Sequence, residues 1–322
     1  MIPYTRKTLP NGLTVVVNRD RASKLAAVNI LYRVGARNEN PARTGFAHLF
    51  EHLMFRGTRA VENFDLPVQM ASGDNNAFTN NDYTDFYITL PKDNLETALW
   101  LESDRMEGLD ITPAKLEAEK KVVIEEFRQR YLNQPYGDQT MLLRALAYKV
   151  HPYRWAAIGL ATDHIAGATL ADVESFYRAH YRPSNAILSI SADMEEERML
   201  ELAEKWFAPL ADHPSATAAI PQEPVQTQAR RQEVERDVPA STVTVAYHMC
   251  ARTKPDFYTA DLVSDLLSGG DSGRLYTHLV KERNLLSSVN AYITGDVDPG
   301  LFVFTGQLLP GVTPEAAEAA FR

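Results

Sequence analysis

The chain has 322 residues, 45% hydrophobic and 23% charged, the composition of a globular protein with one large or two ordinary domains. A net charge of −9 and a pI near 5.4 exclude the basic surface that nucleic acid requires and offer nothing to an anionic membrane. The one cysteine, Cys250, rules out an internal disulfide and any cysteine-rich metal site, and no run of about 18 apolar residues exists to span a bilayer.

Residues 3–34 read as a hairpin or meander, with Thr14–Val17 after the turn Pro10-Asn11-Gly12 and Ala26–Tyr32 as the next strand. The N-terminus has no apolar signal core, so the expected location is the cytoplasm; the alternative is the periplasm, with a signal peptide already removed. A polar loop, 38–45, leads into a helix from about Thr44 to Phe55, stopped at Gly57. A short helix over 62–71 and a turn, Ser72–Asn75, precede a strand pair at 77–79 and 85–90. Helices follow over 93–107 and 112–131, the second with Pro113 in its first turn, and then over 138–149. A loop carries Trp155, and helix 170–180, strand 186–190 and helix 195–207 come next.

Pro209, Pro214, Pro221 and Pro224 then mark an interdomain linker. Strand signals restart at 232–238 and 241–250, where Cys250 is expected as a buried thiol. A helix over 257–267, a glycine-rich turn, a helix over 274–283 and strands at 287–294 and 301–308 complete the pattern. The order echoes the first 90 residues as a weak internal repeat. The last residues look like the first turns of a helix, so the second domain is expected to be C-terminally truncated. The expected division is a domain at 1–210, a linker at 211–231 and a second, related domain at 232–322. The expected class is α+β, each domain having a mixed, mainly antiparallel sheet packed by helices.

Chemistry concentrates in His48-Leu49-Phe50-Glu51-His52. At about 100° per residue, His48, Glu51 and His52 share one face of a helix that is otherwise apolar all round. A buried polar stripe needs a partner, and a metal ion is an economical one. The spacing H-x-x-E-H is itself a known metallopeptidase motif. A hydrolytic zinc takes three protein ligands and leaves one position open, so a third donor is needed. On helix 112–131, Leu116, Val123 and Phe127 form the apolar stripe, while Glu117, Lys121, Glu125 and Arg128 form a solvated charge ladder. Glu119 and Glu126 fall on the flank between them. One can bind metal and the other support a ligand or water, and periodicity leaves the order open.

These residues belong to a wider set of stretches: Leu9–Leu13, Val34–Glu39, Gly45–Phe55, Asn76–Thr79 with Thr84, Glu119, Glu126, His151–Tyr153, Tyr181–Ala186 and Gly273–Tyr276. Together they resemble the pitrilysin or insulin-degrading-enzyme family of inverzincin metallopeptidases, which includes the mitochondrial processing peptidases. The resemblance runs from about residue 3 to the end. It implies one zinc per chain, held by His48, His52 and Glu126, the last being 74 residues beyond His52. It implies Glu51 as the base that activates a zinc-bound water, Glu119 as a supporting catalytic residue, and Asn76 and Ala77 on the strand that binds an extended peptide. The other histidines get packing or surface roles.

One departure accompanies the resemblance. The family's second domain carries an Arg and a Tyr, seven apart, that help bind the substrate carbonyl, and the aligned positions here hold Val280 and Ser287. The expected function is a zinc endopeptidase acting on peptides or unfolded segments and working as a homo- or heterodimer; either a different partner subunit supplies that pair or the site works without it, with other donors at the carbonyl. The alternative is a non-catalytic structural or assembly subunit of the same fold.

Overall fold

The computed structural model describes residues 2–213 and 219–321, so that 214–218 of the expected linker lie outside the described residues. The chain forms two compact units, Met1–Gln129 with Val150–Gln222, and Arg130–Lys149 with Glu223–Arg322. Among the described residues, no helix is long and apolar enough to cross a membrane.

In chain order, the first unit contains β1 (Thr5–Thr8), β2 (Thr14–Arg19), β3 (Leu25–Tyr32), α1 (Phe46–Leu53), α2 (Asp65–Met70), β4 (Asp74–Thr79), β5 (Thr84–Pro91), α3 (Leu95–Glu107) and α4 (Pro113–Phe127). After α5 (Gln139–Ala147), which belongs to the second unit, the first resumes with α6 (Thr162–Ala166), α7 (Leu170–His180), β6 (Ala186–Ala192) and α8 (Glu196–Phe207). Its six strands are ordered β1-β2-β6-β3-β5-β4, with β2 and β6 parallel and the other pairs antiparallel. Alternation decides which face is core. Val15 and Val17, Val28 and Ile30, Phe86 and Ile88, and Leu188 and Ile190 are fully buried, while their neighbours in sequence are more open. The result is the expected mixed sheet covered by helices.

The second unit adds β7 (Thr242–His248), α9 (Pro255–Ser268), a π-helical turn at Tyr276–Glu282, β8 (Leu286–Ile293), β9 (Leu301–Leu308) and α10 (Pro314–Ala320). Its strands are ordered β7-β9-β8, all antiparallel, around a small core of Leu279, Leu286, Leu308 and Ala317. The repeat read from the sequence is visible here. Leu25–Pro91 and Thr242–Leu308 each cover 67 residues, and β3-β5-β4 has the same order and pairing as β7-β9-β8.

Three local expectations need correction. Residues 232–237 are exposed, Val238 is half-buried, and the segment forms no strand, because only Val234 and Val238 are apolar and Pro239 follows at once. That segment is held instead by side chains: Arg230 donates to the Leu146 and Ala147 carbonyls, and Arg236 pairs with Asp138. Asp74 and Asn75 belong to β4 rather than to a turn, since β5 is long enough to pair with them. Cys250 is a free thiol, but half-buried.

Helix α1 is anchored from behind and from its N-terminus. Leu49, Phe50 and Leu53 have no exposed surface. The Phe50 ring stacks on Phe176 and Tyr181, with centroids 5.2 Å away in both cases. Burial of such a ring contributes about 2–3 kcal/mol. Gly45 turns the chain into α1 with φ +90°, and a Cβ there would lie 2.7 Å from the Ile158 carbonyl oxygen, so only glycine fits. The amides of Gly45 and Ala47 donate to the buried Glu39 carboxylate, at 2.9 and 2.8 Å, and Trp155 Nε1 donates to the same group at 3.1 Å. The Glu39 carboxyl oxygens thus accept from amides that the helix itself leaves unpaired.

Candidate metal centre

α1 packs against α4, and the two helices bring four predicted residues together. Glu126 Oε2 lies 3.6 Å from His48 Nε2 and 3.4 Å from His52 Nε2. All three donor atoms lie within 4.8 Å of one another. Two ligands on a tetrahedral zinc, at about 2.0–2.1 Å each, are separated by about 3.3 Å, so the spacing suits that ion. A His-His-Glu set is also the donor type of catalytic rather than structural zinc sites, which keep a position open.

Glu119 stands differently. Its side chain is 1% exposed, against 12, 23 and 17% for His48, His52 and Glu126. Its Oε2 accepts from Nδ1 of His52 at 3.3 Å, on the ring edge away from Glu126. Its Oε1 is 2.5 Å from Arg56 Nη2. Thus Glu126 faces the donor side of both imidazoles, and Glu119 holds the back of one. A carboxylate on the second ring nitrogen fixes tautomer and orientation in metal-binding histidines. The difference that helical periodicity left open is a difference in which ring nitrogen each carboxylate reaches.

The electrostatics follow from these contacts. Burial lowers the His52 pKa, but the hydrogen bonds to Glu119 and Glu126 outweigh it and raise the group to about 9. Burial pushes Glu119 up, yet its pairing with His52 and Arg56 holds it below the ordinary carboxylate value. At Glu39 burial prevails over the donors from Ala47, Gly45 and Trp155, and its pKa is raised to about 8.

Glu51 sits one residue before His52 on α1, partly exposed and on the same face as the histidines. Asn76 and Ala77 lie on β4, outside the donor cluster, and β4 is the last strand of its sheet, in contact with α1. Asn76 shares the open face with its partner Tyr87, and Ala77 pairs with the buried Phe86 on the other. In the second unit, Val280 lies within the π-helical turn, and Ser287 sits where the β8–β9 register shifts between Leu286 and Ser288.

Three residues that matter to this arrangement went without a role in the sequence reading. Arg56 had an available signal, since it lies four residues after His52 and so on the same helical face. Glu39 and Trp155 had none that was local, because the contact joins segments 116 residues apart.

A sequence model described as Insulinase (Peptidase family M16) matches residues 14–156, and one described as Peptidase M16 inactive domain matches 167–322. Every candidate site residue lies within the first. "Zinc protease PqqE" of Helicobacter pylori is 33% identical over 317 residues, covering 97% of this chain and 71% of that protein. The "Probable mitochondrial-processing peptidase subunit beta" of Arabidopsis thaliana is 26% identical, and this chain spans 59% of its length. Among solved structures, a protease from Helicobacter pylori aligns with TM-score 0.94 and 32% identity, over 99% of this chain and 78% of that one. Pitrilysin shares the fold, with TM-score 0.75 and 17% identity, over 99% of this chain and 34% of that one.

Proposed function

The chain belongs to the insulinase family of peptidases, M16, and from that premise we propose that it is a zinc-dependent endopeptidase acting on peptides or unfolded segments. The observation that carries the proposal is the convergence of His48, His52 and Glu126 donors at zinc-ligand spacing, with Glu119 behind His52. Zinc bound there would supply Lewis acidity and lower the pKa of water toward about 7.

The protein's own residues have separable tasks. Glu51, on the same helical face, takes a proton from the attacking water as its oxygen bonds to the peptide carbonyl carbon. As the carbon–nitrogen bond breaks, Glu51 returns that proton to the leaving amine. Glu119 keeps His52 turned so that Nε2 points at the donor cluster. The open edge of β4, with Asn76 and Ala77, holds the substrate by main-chain hydrogen bonds, as strand addition does. The carbonyl side of the reaction comes from a second subunit that bears the Arg and Tyr replaced here by Val280 and Ser287.

The test uses the purified full chain, alone and with any co-purifying subunit. About one zinc per chain is expected. Glu51→Gln is expected to keep that zinc and to lose cleavage of an unstructured peptide. A Glu51→Gln protein that cleaves as fast as its parent refutes the assignment. Val280 and Ser287 favour a second reading, a non-catalytic subunit of the same fold, and metal analysis separates the two because such a subunit need hold no zinc.

A further inference from the structure

We propose that Arg56 is a positioning residue of the metal centre, acting through Glu119 on the imidazole of His52; this rests on the zinc reading above. The contacts form a continuous chain. Arg56 Nη2 meets Glu119 Oε1 at 2.5 Å, Glu119 Oε2 meets His52 Nδ1 at 3.3 Å, and His52 Nε2 faces Glu126 Oε2 at 3.4 Å. Each oxygen of Glu119 therefore has a different cationic or donor partner. A carboxylate with 1% exposure cannot turn to water if one partner is lost.

The backbone places Arg56 deliberately close. Its amide donates to the Leu53 carbonyl at 3.0 Å, which prolongs α1 by a turn beyond His52. Gly57 then ends the turn with φ +93°, where a Cβ would lie 2.5 Å from the Glu62 carbonyl oxygen. The side chain is 51% exposed, so it spans from solvent to a buried partner. It reaches the Nδ1 side of His52 and not the donor side. That separates Arg56 from any group that touches the reacting atoms.

Charge balance points the same way. Glu119 and Glu126 set a carboxylate on either edge of the His52 ring. The Arg56 guanidinium sets a positive charge against Glu119, on the side of the ring away from the donor atoms. Arginine suits the task because its guanidinium stays charged and presents several donors in a fixed plane.

The experiment measures zinc affinity of the full chain by competition with a chromogenic chelator, alongside the urea unfolding midpoint of the metal-free protein. Arg56→Ala is expected to weaken zinc binding by about 10–100-fold. Arg56→Lys is expected to recover most of that loss, and the metal-free midpoints are expected to coincide. If the parent binds zinc and Arg56→Ala binds it as tightly, this inference alone fails. If both variants weaken binding equally and unfold earlier without metal, Arg56 is merely structural and the inference fails again. A parent that takes up no zinc overturns the underlying functional reading as well.

Discussion

Trp155 Nε1 donates to Glu39 at 3.1 Å and lies 3.0 Å from the Ala36 carbonyl oxygen, so one indole closes the pocket in which Glu39 receives the first amides of α1. The contact joins two loops to the start of the helix that bears His48 and His52. Replacement of Trp155 by Phe keeps most of the ring and removes the donor. The buried carboxylate then loses a partner, and the expected cost is about 1–3 kcal/mol in urea unfolding. Because α1 is held less firmly, zinc affinity should fall too. A Trp155→Phe protein with unchanged midpoint would show that the remaining donors suffice.

Zinc uptake should release a proton. With its pKa raised to about 9, His52 is protonated at pH 7 in the metal-free protein, and a protonated imidazole cannot bind metal. The stabilisation from its carboxylate pairing is present below the ordinary histidine value and is lost as pH rises through about 9. Apparent zinc affinity should therefore climb with pH up to that point and then level. Calorimetric titration in buffers of different ionisation enthalpy measures the release directly. An observed heat independent of buffer at pH 7 would exclude a proton on His52.

The Glu102–Arg105 pair on α3 is a structural charge, and its removal should be asymmetric. Both residues are almost fully buried, joined through two contacts at 2.7 and 2.5 Å. The guanidinium also lies over the Phe86 and Phe64 rings, 4.2 and 4.4 Å from their centroids. Glu102→Leu alone should cost about 3–5 kcal/mol, because it strands a buried cation. Glu102→Leu with Arg105→Met should cost less than either single change. A double-mutant cycle in urea checks this, and strict additivity would contradict it.

Asp85 gives a stability effect with a defined sign. Burial raises its pKa to about 6, against the hydrogen bond that Asn29 donates at 2.6 Å. A raised folded pKa means that the associated stability is complete below the ordinary aspartate value and is lost as pH rises through about 6. Asp85→Asn should therefore be more stable than its parent at pH 8, by on the order of 1 kcal/mol after solvent screening. The two should converge near pH 4. Thermal melts across that range decide it, and a parallel offset at every pH would rule the carboxyl out as the cause.

The sequence made some levels of this molecule easy to read. Apolar-rich runs in β3 and β5 announced strands, and Thr112-Pro113 marked the start of α4. The shared face of His48, Glu51 and His52 was legible because i, i+3 and i+4 on one helix is a local relation. Glu119 and Glu126 could be singled out by periodicity, but their separate places depend on which edge of a ring each reaches, and that is tertiary geometry. Segment 232–238 misled because alternating charge resembles a strand until the lack of apolar partners is counted. Helix α6 was missed because five residues carry too little periodicity to register. The Trp155–Glu39 contact had no precursor in local pattern at all.

The equal spans Leu25–Pro91 and Thr242–Leu308 give the chain two editions of one plan, and among the described residues only the first holds a His-His-Glu donor cluster. The slot after the first strand is filled by α1 in one edition and by α9 in the other, and α9 contains neither histidine nor glutamate. A substitution in α1 therefore meets both a buried core and the candidate donors, whereas α9 buries only Ser264 and leaves Tyr258, Leu262 and Leu266 exposed, so most of its positions answer to neither.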